Sequence, residues 1–459
     1  MRHDQTALGA HSENGRKIAE FVCSMRHGDT PEDVLDIAKK CLVDWCGVAL
    51  GAYRQQAGIA VRRAVESWRS RGTAQVLLGP TTSPPAASLI NGTLAHCLDF
   101  DDTHIDSVAH LSGPTWAAVL ALGGAQGASE VQMLRAFVSG YEVGAKLGGS
   151  GFGVAVDQHG WHSPGIFGCL AAAAGSCSLL GLEEAAIPHA LVAAATQAAG
   201  LTASFGTMSK PFHAGKAAFN GLIAAQLASV GFIAGTEILE PAGGLARTLV
   251  QNSEIAMDHV DFGGNWALAR NSFKPYACCL LTHAAVDAAK SMHGEFSNDQ
   301  ICRIEAHVNP MAIHLAGKTA VTTSLEGKFS LSFCIALAVH GYKLTESDFA
   351  PSSLEDEEIQ RTSAKVVLIP DEGLHKTQDE IHFQLADGTV IVGRADNALG
   401  TPDNPITWED IREKFFSLVE PVLGDRTSGL FSTLRDFERP GQYQAFTDFV
   451  SQNISDKLS

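Results

Sequence analysis

A helical pattern is clearest in residues 30–52, whose sequence is TPEDVLDIAKKCLVDWCGVALGA. Its apolar side chains recur at intervals of three and four residues and so line one face of a helix: Val34, Ala38, Cys41, Trp45 and Val48. Thr30 is a typical N-cap residue, and proline is favoured at the first helical position. The stretch therefore predicts a buried amphipathic helix that begins at Pro31.

Much of the chain up to about residue 270 continues this pattern. Residues 129–148, SEVQMLRAFVSGYEVGAKLG, have the same helical spacing. Three further segments combine helical length with small apolar residues and little charge: 164–182, 184–200 and 214–232. Because small side chains let backbones approach closely, we expect these three helices at the centre of the fold.

The periodicity changes near residue 272. Three later segments alternate apolar and polar residues as strands do: ICRIEAHVNP (301–310), SAKVVLIPD (363–371) and EIHFQLADGTVIVGRA (380–395). Asp387-Gly388 in the last of them is a typical hairpin turn. Residues 326–344 have helical spacing, and helices return after the turn-rich residues 400–405.

These patterns predict a mostly α protein with two kinds of domain. A large helical domain is built from N-terminal and C-terminal segments, residues 1–271 and 401–459. A smaller α+β domain, residues 272–400, is inserted between them.

Charge and hydropathy exclude several classes of function. The 459 residues include 33 basic and 50 acidic side chains, which gives a formal net charge of −17. Such a chain is a poor partner for nucleic acid or for an anionic membrane surface. It lacks a run of about 18 apolar residues, and its N-terminus lacks the apolar core of a secretory signal. We therefore expect a cytoplasmic protein with no membrane partner.

The ten cysteines are scattered, and no two have CxxC spacing. That spacing predicts neither a zinc ribbon nor an iron–sulfur cluster. Without a secretory signal a disulfide framework is not expected either, so reduced and mostly buried thiols are predicted.

Residues 91–110, NGTLAHCLDFDDTHIDSVAH, concentrate titratable groups next to apolar sequence. If the stretch is helical, Asp99 and Asp102 share a face, with Thr103 and His104 just beyond. Buried acids must be paired or hydrogen-bonded. Helix-end capping with a solvated loop, a metal site of Asp and His ligands, and a wall of an active site all remain open.

Three other motifs carry lysine, histidine or cysteine. GWHSPG (160–165) places His162 in a turn, where a structural role is the alternative. FGTMSKPFHAGKAAFNG (205–221) holds Lys210, His213 and Lys216 in what we interpret as a loop before an apolar helix, with a surface loop as the alternative. Since Lys210 precedes a proline, we expect it in extended conformation outside the helix.

SFKPYACCLLTHAAVDA (272–288) carries Lys274, Cys278, Cys279 and His283 at the predicted domain boundary, where clefts tend to form. Ordinary buried thiols are the favoured reading of the cysteine pair. Together the four motifs supply lysines, histidines and an acid with little other charge. That set suits binding a small polycarboxylate and moving a proton beside it.

Several motifs, in order, resemble the MmgE/PrpD family: NGTLAHCLDFDDTH, SGYEVGAKLG, GWHSPGIFG, FGTMSKPFHAGKAAFNG, KPYACCLLTHAAVDA and GKFSLSF. The resemblance covers about residues 15–450. It implies a helical domain with an inserted lid domain, an active site between them, a homodimer, and no metal or organic cofactor. Family members include 2-methylcitrate dehydratase, cis-aconitate decarboxylase and iminodisuccinate epimerase.

The resemblance also assigns site residues one by one. It implies catalytic positions at His162, Lys210, His213 and Lys274, and substrate-binding positions at Asp99, Thr103, His110 and Cys279. Animal-type decarboxylases have a histidine where this chain has Cys279, whereas some fungal decarboxylases share its YACC. This departure concerns the proton donor of the lid.

These assignments define an expected reaction. Lys210 and Lys274 bind substrate carboxylates, Thr103 and His110 add further contacts, and Asp99 orients a cation or a substrate hydroxyl. An imidazole, His162 or His213, exchanges the proton at the reacting carbon. We expect a hydro-lyase that dehydrates 2-methylcitrate or a related hydroxy-tricarboxylate. The alternatives are cis-aconitate decarboxylation to itaconate, epimerisation of an iminodisuccinate-type substrate, and non-catalytic binding of a di- or tricarboxylate.

Overall fold

The computed structural model describes residues 13–235, 238–239, 244–251 and 260–451. The chain forms two compact units. The first, called the helical unit, takes the chain up to Cys97, Asp101–Asn271, and the chain from Ile411 onward. The second, called the mixed unit, takes Leu98–Phe100 and Ser272–Asp410. The prediction of a mostly α protein is confirmed.

The helical unit begins with eleven helices in the described part of the chain: α1 (Glu13–Met25), α2 (Glu32–Gly51), α3 (Gln56–Glu66), α4 (Pro84–His96), α5 (Ser112–Gln126), α6 (Glu130–Leu147), α7 (Phe152–Gln158), α8 (Ser163–Leu179), α9 (Ile187–Ala195), α10 (Ser209–Ser229) and α11 (Leu245–Val250). The short strand β1 (Thr103–His104) lies between α4 and α5, and β2 (Asn271–Ser272) lies at the boundary of the units.

The start of α2 differs from the prediction by one position. The helix begins at Glu32, and Pro31 is its N-cap with φ −54° and ψ 143°. The carbonyl of Pro31 accepts the first helical hydrogen bond from the Leu35 amide at 3.1 Å. Pro31 thus lies just outside the helix, because its ψ is extended. Its carbonyl nevertheless accepts a hydrogen bond from the first turn.

At the centre of the helical unit α10 packs against α4, α5 and α8, and α5 packs against α4 and α8. A Cβ on Gly92 of α4 would lie 3.0 Å from Cα of Gly215 on α10. A Cβ on Gly215 would lie 2.2 Å from Oγ1 of Thr93 and 2.4 Å from the carbonyl oxygen of Leu89. Glycine on both helices therefore permits a backbone approach that any side chain would prevent.

The mixed unit contains six helices in the described part of the chain: α12 (His283–Lys290), α13 (Pro310–Ala316), α14 (Ser324–Gly327), α15 (Leu331–Val339), α16 (Pro351–Leu354) and α17 (Glu357–Ser363). Its strands are β3 (Ile301–Val308), β4 (Val366–Pro370), β5 (Asp379–Leu385) and β6 (Val390–Ala395). The chain then forms α18 (Trp408–Leu423), α19 (Thr427–Arg435) and α20 (Gln442–Val450), which return it to the helical unit.

The four strands form one sheet in the order β4-β3-β5-β6. β3 runs parallel to β4 and antiparallel to β5, and β5 and β6 form a hairpin. In the hairpin turn Gly388 has φ 87°, which suits glycine, and the Asp387 carboxylate accepts from the Thr389 amide at 2.9 Å. The three segments with period two are thus strands, and the predicted turn is confirmed.

α12 packs against β5 and β6. The alternate residues Ile304, Ala306, Ile381 and Phe383 of the central strands are fully buried. Within the described residues, no helix combines the length and the apolar character needed to cross a membrane.

We predict that Gly215→Ala destabilises the protein, although alanine is a better helix former by about 1 kcal/mol. The new methyl group would overlap Thr93 and Leu89, and overpacking of this kind costs about 1–3 kcal/mol. Thermal and urea unfolding would measure the change in the free energy of unfolding. Gly235→Ala is the control, since a Cβ there meets nothing within 4 Å. Equal stability of the two variants would contradict the close approach of α4 and α10.

Candidate active site

The three aspartates that follow α4 have separate partners rather than a common helical face. The helix ends at His96, and Asp99 has φ 52° in the left-handed region. Leu98–Phe100 belongs to the mixed unit, whereas Asp101 and Asp102 belong to the helical unit. The expectation that Asp99 and Asp102 share a helical face is therefore wrong, because the chain turns sharply at Asp99.

Asp101 is 2% exposed and is shared by two histidines. Its Oδ2 lies 2.8 Å from Nδ1 of His96 and 3.3 Å from Nδ1 of His110. Burial alone would raise the pKa of Asp101, but the charges and hydrogen bonds of His110 and His96 outweigh it and hold the pKa well below its ordinary value. Asp101 is thus a buried carboxylate that stays ionised.

His110 also meets the backbone and side chain of its own loop. Its Nδ1 lies 2.9 Å from the Asp102 carbonyl oxygen and 3.2 Å from Oγ1 of Thr103. The structure therefore brings Thr103 and His110 together, as two of the expected substrate-binding residues. A proton on Nδ1 that is donated to the carbonyl leaves the Nε2 lone pair of His110 for other chemistry.

Two further histidines continue the row of imidazoles. His162, the N-cap of α8, stacks on His96 with ring centroids 5.6 Å apart. Its Nδ1 lies 3.0 Å from Nδ1 of His213 on α10. The rings of His96 and His110 are 4.7 Å apart at their centroids. We call His96, His110, His162 and His213, with Asp101, the imidazole cluster.

Lys210 lies beside this cluster and is 3% exposed. Its Nζ is 5.3 Å from the ring centroid of Phe205, and that ring meets His162 edge-on at 5.0 Å. A lysine ammonium gains from the face of an aromatic ring. A buried ammonium group next to imidazoles can bind an anionic ligand at a small desolvation cost, because few water molecules must be displaced from it.

The conformation of Lys210 differs from the prediction. α10 begins at Ser209, so Lys210 and Pro211 are in its first turn, and His213 and Lys216 are helical as well. A proline is tolerated there because the first four amides of a helix have no intrahelical acceptor. The interpretation of this motif as a loop is therefore wrong. Three-residue spacing places Lys210 and His213 on one face of α10.

Three of the imidazoles, those of His96, His162 and His213, have lowered pKa values. Burial lowers the pKa of His96 to about 4, even though Asp101 favours its charged form. Burial likewise holds the pKa of His162 well below its ordinary value and lowers that of His213. The positive charge of Lys210 acts in the same direction on all three. At neutral pH these rings can accept a proton, and a bound anion would favour their protonation.

Asp102 belongs to a second buried network. Its Oδ2 accepts from Ser112 at 2.5 Å and from the Asn271 amide at 2.7 Å. Tyr141 in turn donates to Asn271 at 2.7 Å. Burial, with a further contribution from the charge of Asp44, raises the pKa of Asp102 to about 7. This network anchors the loop that carries Asp101.

Asp99 pairs with Lys274 inside the mixed unit. Nζ of Lys274, which is 1% exposed, lies 3.3 Å from Oδ2 of Asp99 and 2.7 Å from its carbonyl oxygen. Nζ of Lys328 donates to the Leu98 carbonyl at 2.5 Å and also binds Glu346. Two buried lysines therefore hold the segment Leu98–Phe100.

Cys279 lies in the same unit, 8% exposed, and its amide donates to the Lys328 carbonyl at 2.9 Å. His283 is fully buried with Nε2 3.4 Å from the Cys278 carbonyl oxygen. Of the residues expected from the sequence, the helical unit thus brings together Thr103, His110, His162, Lys210 and His213, and the mixed unit holds Asp99, Lys274 and Cys279.

Sequence reasoning missed His96 and Asp101 as site residues. Both lie in the acid-rich stretch, where the resemblance implies Asp99 instead. The missed signal is a histidine at the last position of a predicted helix with an acid five residues later.

A metal is the remaining alternative for part of this cluster. His96, Asp101 and His110 each offer a ligand atom, and these atoms lie within 4.8 Å of one another. Two imidazoles and a carboxylate suit a borderline divalent cation. Oδ2 of Asp101 takes both Nδ1 contacts, whereas Nε2 of His96 and Oδ1 of Asp101 are buried without a hydrogen-bond partner among the described residues. Proton transfer is the chemistry that these side chains can perform without a metal ion.

Fold and site together define a largely helical protein whose first unit carries a buried carboxylate, four imidazoles and a lysine. Comparison with known families identifies the class. The MmgE/PrpD N-terminal domain matches residues 16–258, and the MmgE/PrpD C-terminal domain matches residues 276–432. The chain therefore belongs to the MmgE/PrpD family, and the resemblance seen in the sequence is confirmed.

Curated relatives match over most of their length. The cis-aconitate decarboxylase of Aspergillus terreus is 25% identical, over 88% of this chain and 89% of the relative. A cis-aconitate decarboxylase-like protein, oryM, of Aspergillus oryzae is 26% identical, over 89% and 90%. The cis-aconitate decarboxylase of Mus musculus is 25% identical, over 92% and 91%. These relatives identify the chain as an enzyme of this family.

We predict that His96 titrates near pH 4 in the folded protein, as burial requires. Histidine-labelled protein, assigned with His96→Gln, would show this by NMR. Since the unfolded chain takes up this proton near pH 6.5, the free energy of unfolding should fall as pH drops from about 6.5 to about 4.

Asp101→Asn should lower the pKa of His96 further, because the carboxylate favours the imidazolium. The denatured protein in the same buffer is the reference. Titration of His96 at the value found in denaturant would show that the ring is solvated and that the cluster is not buried as described.

Proposed function

We propose that this protein is a lyase that decarboxylates a small tricarboxylate of the cis-aconitate class without a metal or organic cofactor. The supporting observation is the imidazole cluster: a buried ionised carboxylate that two histidines contact, two further histidines next to them, and a buried lysine alongside. Relatives named as cis-aconitate decarboxylases match about nine-tenths of the chain, which favours this reaction over the dehydration expected from the sequence.

The proposed reaction needs one proton and a place for negative charge. When the carbon–carbon bond to the leaving carboxylate breaks, its electron pair forms a new alkene. The electrons of the old alkene move to the carbon beside a remaining carboxylate, where a proton must be added. CO₂ leaves, and one proton is consumed.

The imidazole cluster can supply that proton. The pKa values of His96, His162 and His213 are lowered in the free site, and a trianionic substrate favours protonation, so that one imidazolium forms on binding. We assign this role to His162 or His213, which share the contact between their Nδ1 atoms. Asp101 and His96 position the row of rings through the 2.8 Å hydrogen bond.

Lys210 would hold a substrate carboxylate. A buried ammonium beside the reacting atoms stabilises charge that develops in the transition state. Thr103 and His110, which contacts Asp101, add a hydroxyl and an imidazole for a second carboxylate.

Lys274 remains a proposed substrate ligand from the resemblance, but it is a poor first target for mutation. It pairs with the buried Asp99, so its removal would leave a buried carboxylate uncompensated. Loss of activity in such a variant would not distinguish catalysis from folding.

Dehydration of a hydroxy-tricarboxylate such as 2-methylcitrate is the second candidate. The depressed pKa values of His96, His162 and His213 favour it, because neutral imidazoles can remove a proton next to a carboxylate. Removal and return of such a proton would epimerise an iminodisuccinate, without net loss of a group.

Proton NMR in deuterated buffer distinguishes these reactions. Chelator-treated protein is incubated separately with cis-aconitate, 2-methylcitrate, citrate and iminodisuccinate. Itaconate that carries solvent deuterium is the expected product, from cis-aconitate. An alkene formed from a hydroxy acid would establish the dehydratase instead, and deuterium uptake alone would establish the epimerase. No reaction with any of the four compounds would favour the alternative of a protein that binds a polycarboxylate without catalysis.

Lys210→Ala should lower kcat/KM by at least about 100-fold, as does loss of a single group that stabilises transition-state charge. Lys216→Ala is the matched control on the same helix, since Lys216 is half-buried and donates to Asn220 at 2.6 Å. Both variants should unfold at similar temperatures. Equal activity of Lys210→Ala and Lys216→Ala would contradict the carboxylate-binding role.

A further inference from the structure

The sheet of the mixed unit carries two copies of the pattern Glu-x-His. Glu305 and His307 lie on β3, and Glu380 and His382 lie on β5. Because side chains alternate along a strand, both residues of each pair point to the same face. In the antiparallel register Glu305 is opposite His382, and His307 is opposite Glu380. Each strand thus presents its acid to the other strand's imidazole.

The four side chains occupy the face of the sheet away from its buried residues. Ile304, Ala306, Ile381 and Phe383 of the same strands are fully buried, whereas the two acids and two histidines are half-buried. The cluster is therefore partly sheltered and still open to small solutes. It belongs entirely to the mixed unit, and no step of the proposed reaction uses it.

The geometry brings ligand atoms together. Glu305, His307 and His382 each offer one ligand atom, and these atoms lie within 4.8 Å of one another. The rings of His307 and His382 are 4.6 Å apart at their centroids with an interplanar angle of 35°. Oε1 of Glu380 lies 2.6 Å from Nε2 of His382. A carboxylate behind a histidine orients the ring and makes it a better ligand.

One atom in the cluster lacks a partner. Nε2 of His307 is buried and makes no hydrogen bond to any residue that the structure describes. Leaving such a buried atom without a partner destabilises the protein, because the atom has lost its water. A cation at this position would take its lone pair.

We propose that Glu305, His307 and His382 bind a borderline divalent cation of the Zn²⁺ class, with Glu380 as the outer partner of His382. Two imidazoles and a carboxylate are a common ligand set for such a cation, and a solvent molecule completes a tetrahedron. The cation would join β3 to β5 across the sheet. The site is structural and separate from the imidazole cluster of the helical unit.

Two arginines form ion pairs with Glu305 and Glu380, but these pairs do not prevent a cation from binding. Nε of Arg303 lies 2.9 Å from Oε1 of Glu305, and Nη1 of Arg394 lies 3.5 Å from Oε2 of Glu380. Both arginine side chains are about half exposed or more, at 47% and 60%. Arg303 pairs with Oε1 of Glu305, and Arg394 pairs with the Glu380 oxygen that does not bind His382. Ion pairs between such exposed side chains are weak.

Calorimetric titration of the chelator-treated full chain with ZnCl₂ tests the site. We expect one Zn²⁺ per chain at this site, and a higher unfolding temperature when it is bound. The double variant His307→Gln, His382→Gln should lose this binding. His375→Gln is the matched control in the same unit, where His375 contacts only Thr377 and its own turn in the bonds described, and it should bind as wild type does.

Two further variants keep the proposal falsifiable. Glu380→Gln should weaken Zn²⁺ binding by about 10–100-fold without abolishing it, as loss of an outer partner does. His96→Gln should retain the binding, since His96 belongs to the other cluster. No saturable binding by wild type, binding unchanged in the double variant, or binding lost in His96→Gln and kept in the double variant would each overturn the proposal.

Discussion

The candidate site depends on a single buried carboxylate, that of Asp101. A charge that is only 2% exposed survives in the interior because His96 and His110 both contact the same oxygen atom. This arrangement orients the rings of His96 and His110, and the His162 ring in turn stacks on that of His96. Without Asp101, His96 and His110 would lose the carboxylate oxygen that both contact.

The helical unit positions the cluster by means of helix ends. His96 is the last residue of α4, His162 is the N-cap of α8, and Lys210 is in the first turn of α10. Glycine contacts between α4 and α10 bring two of these ends close together. Side chains at helix ends can turn toward a common centre while the helices themselves pack through small residues. The alanine- and glycine-rich sequence of the unit is therefore a condition for the site.

Burial gives the cluster its chemical character. Burial lowers the pKa values of His96, His162 and His213, and the positive charge of Lys210 lowers them further. An anionic ligand changes the balance, because its charge favours the imidazolium form. Binding and proton uptake are thereby coupled, and this coupling is common to decarboxylation, dehydration and epimerisation.

Much of this organisation could be predicted from the sequence. The mostly α class, the three strand segments and the hairpin turn followed from hydrophobic period and turn chemistry. The motifs also identified His110, His162, Lys210 and His213 as a possible set. Helix periodicity and capping preferences could not predict the left-handed backbone conformation of Asp99. Because of this turn Asp99 pairs with Lys274, whereas Asp101 contacts the histidines. The rule that a residue before proline is extended failed at Lys210, because first-turn geometry took precedence.

The most direct test of the central claim is a calorimetric count of protons on ligand binding. Propane-1,2,3-tricarboxylate has neither the hydroxyl group nor the alkene of the proposed substrates, and it can be titrated at pH 7 in two buffers with different ionisation enthalpies. We expect the protein to take up protons from the buffer as the ligand binds. Asp101→Asn should change the number of protons taken up. Tight binding with no proton exchange would contradict the claim that a neutral imidazole cluster receives the substrate.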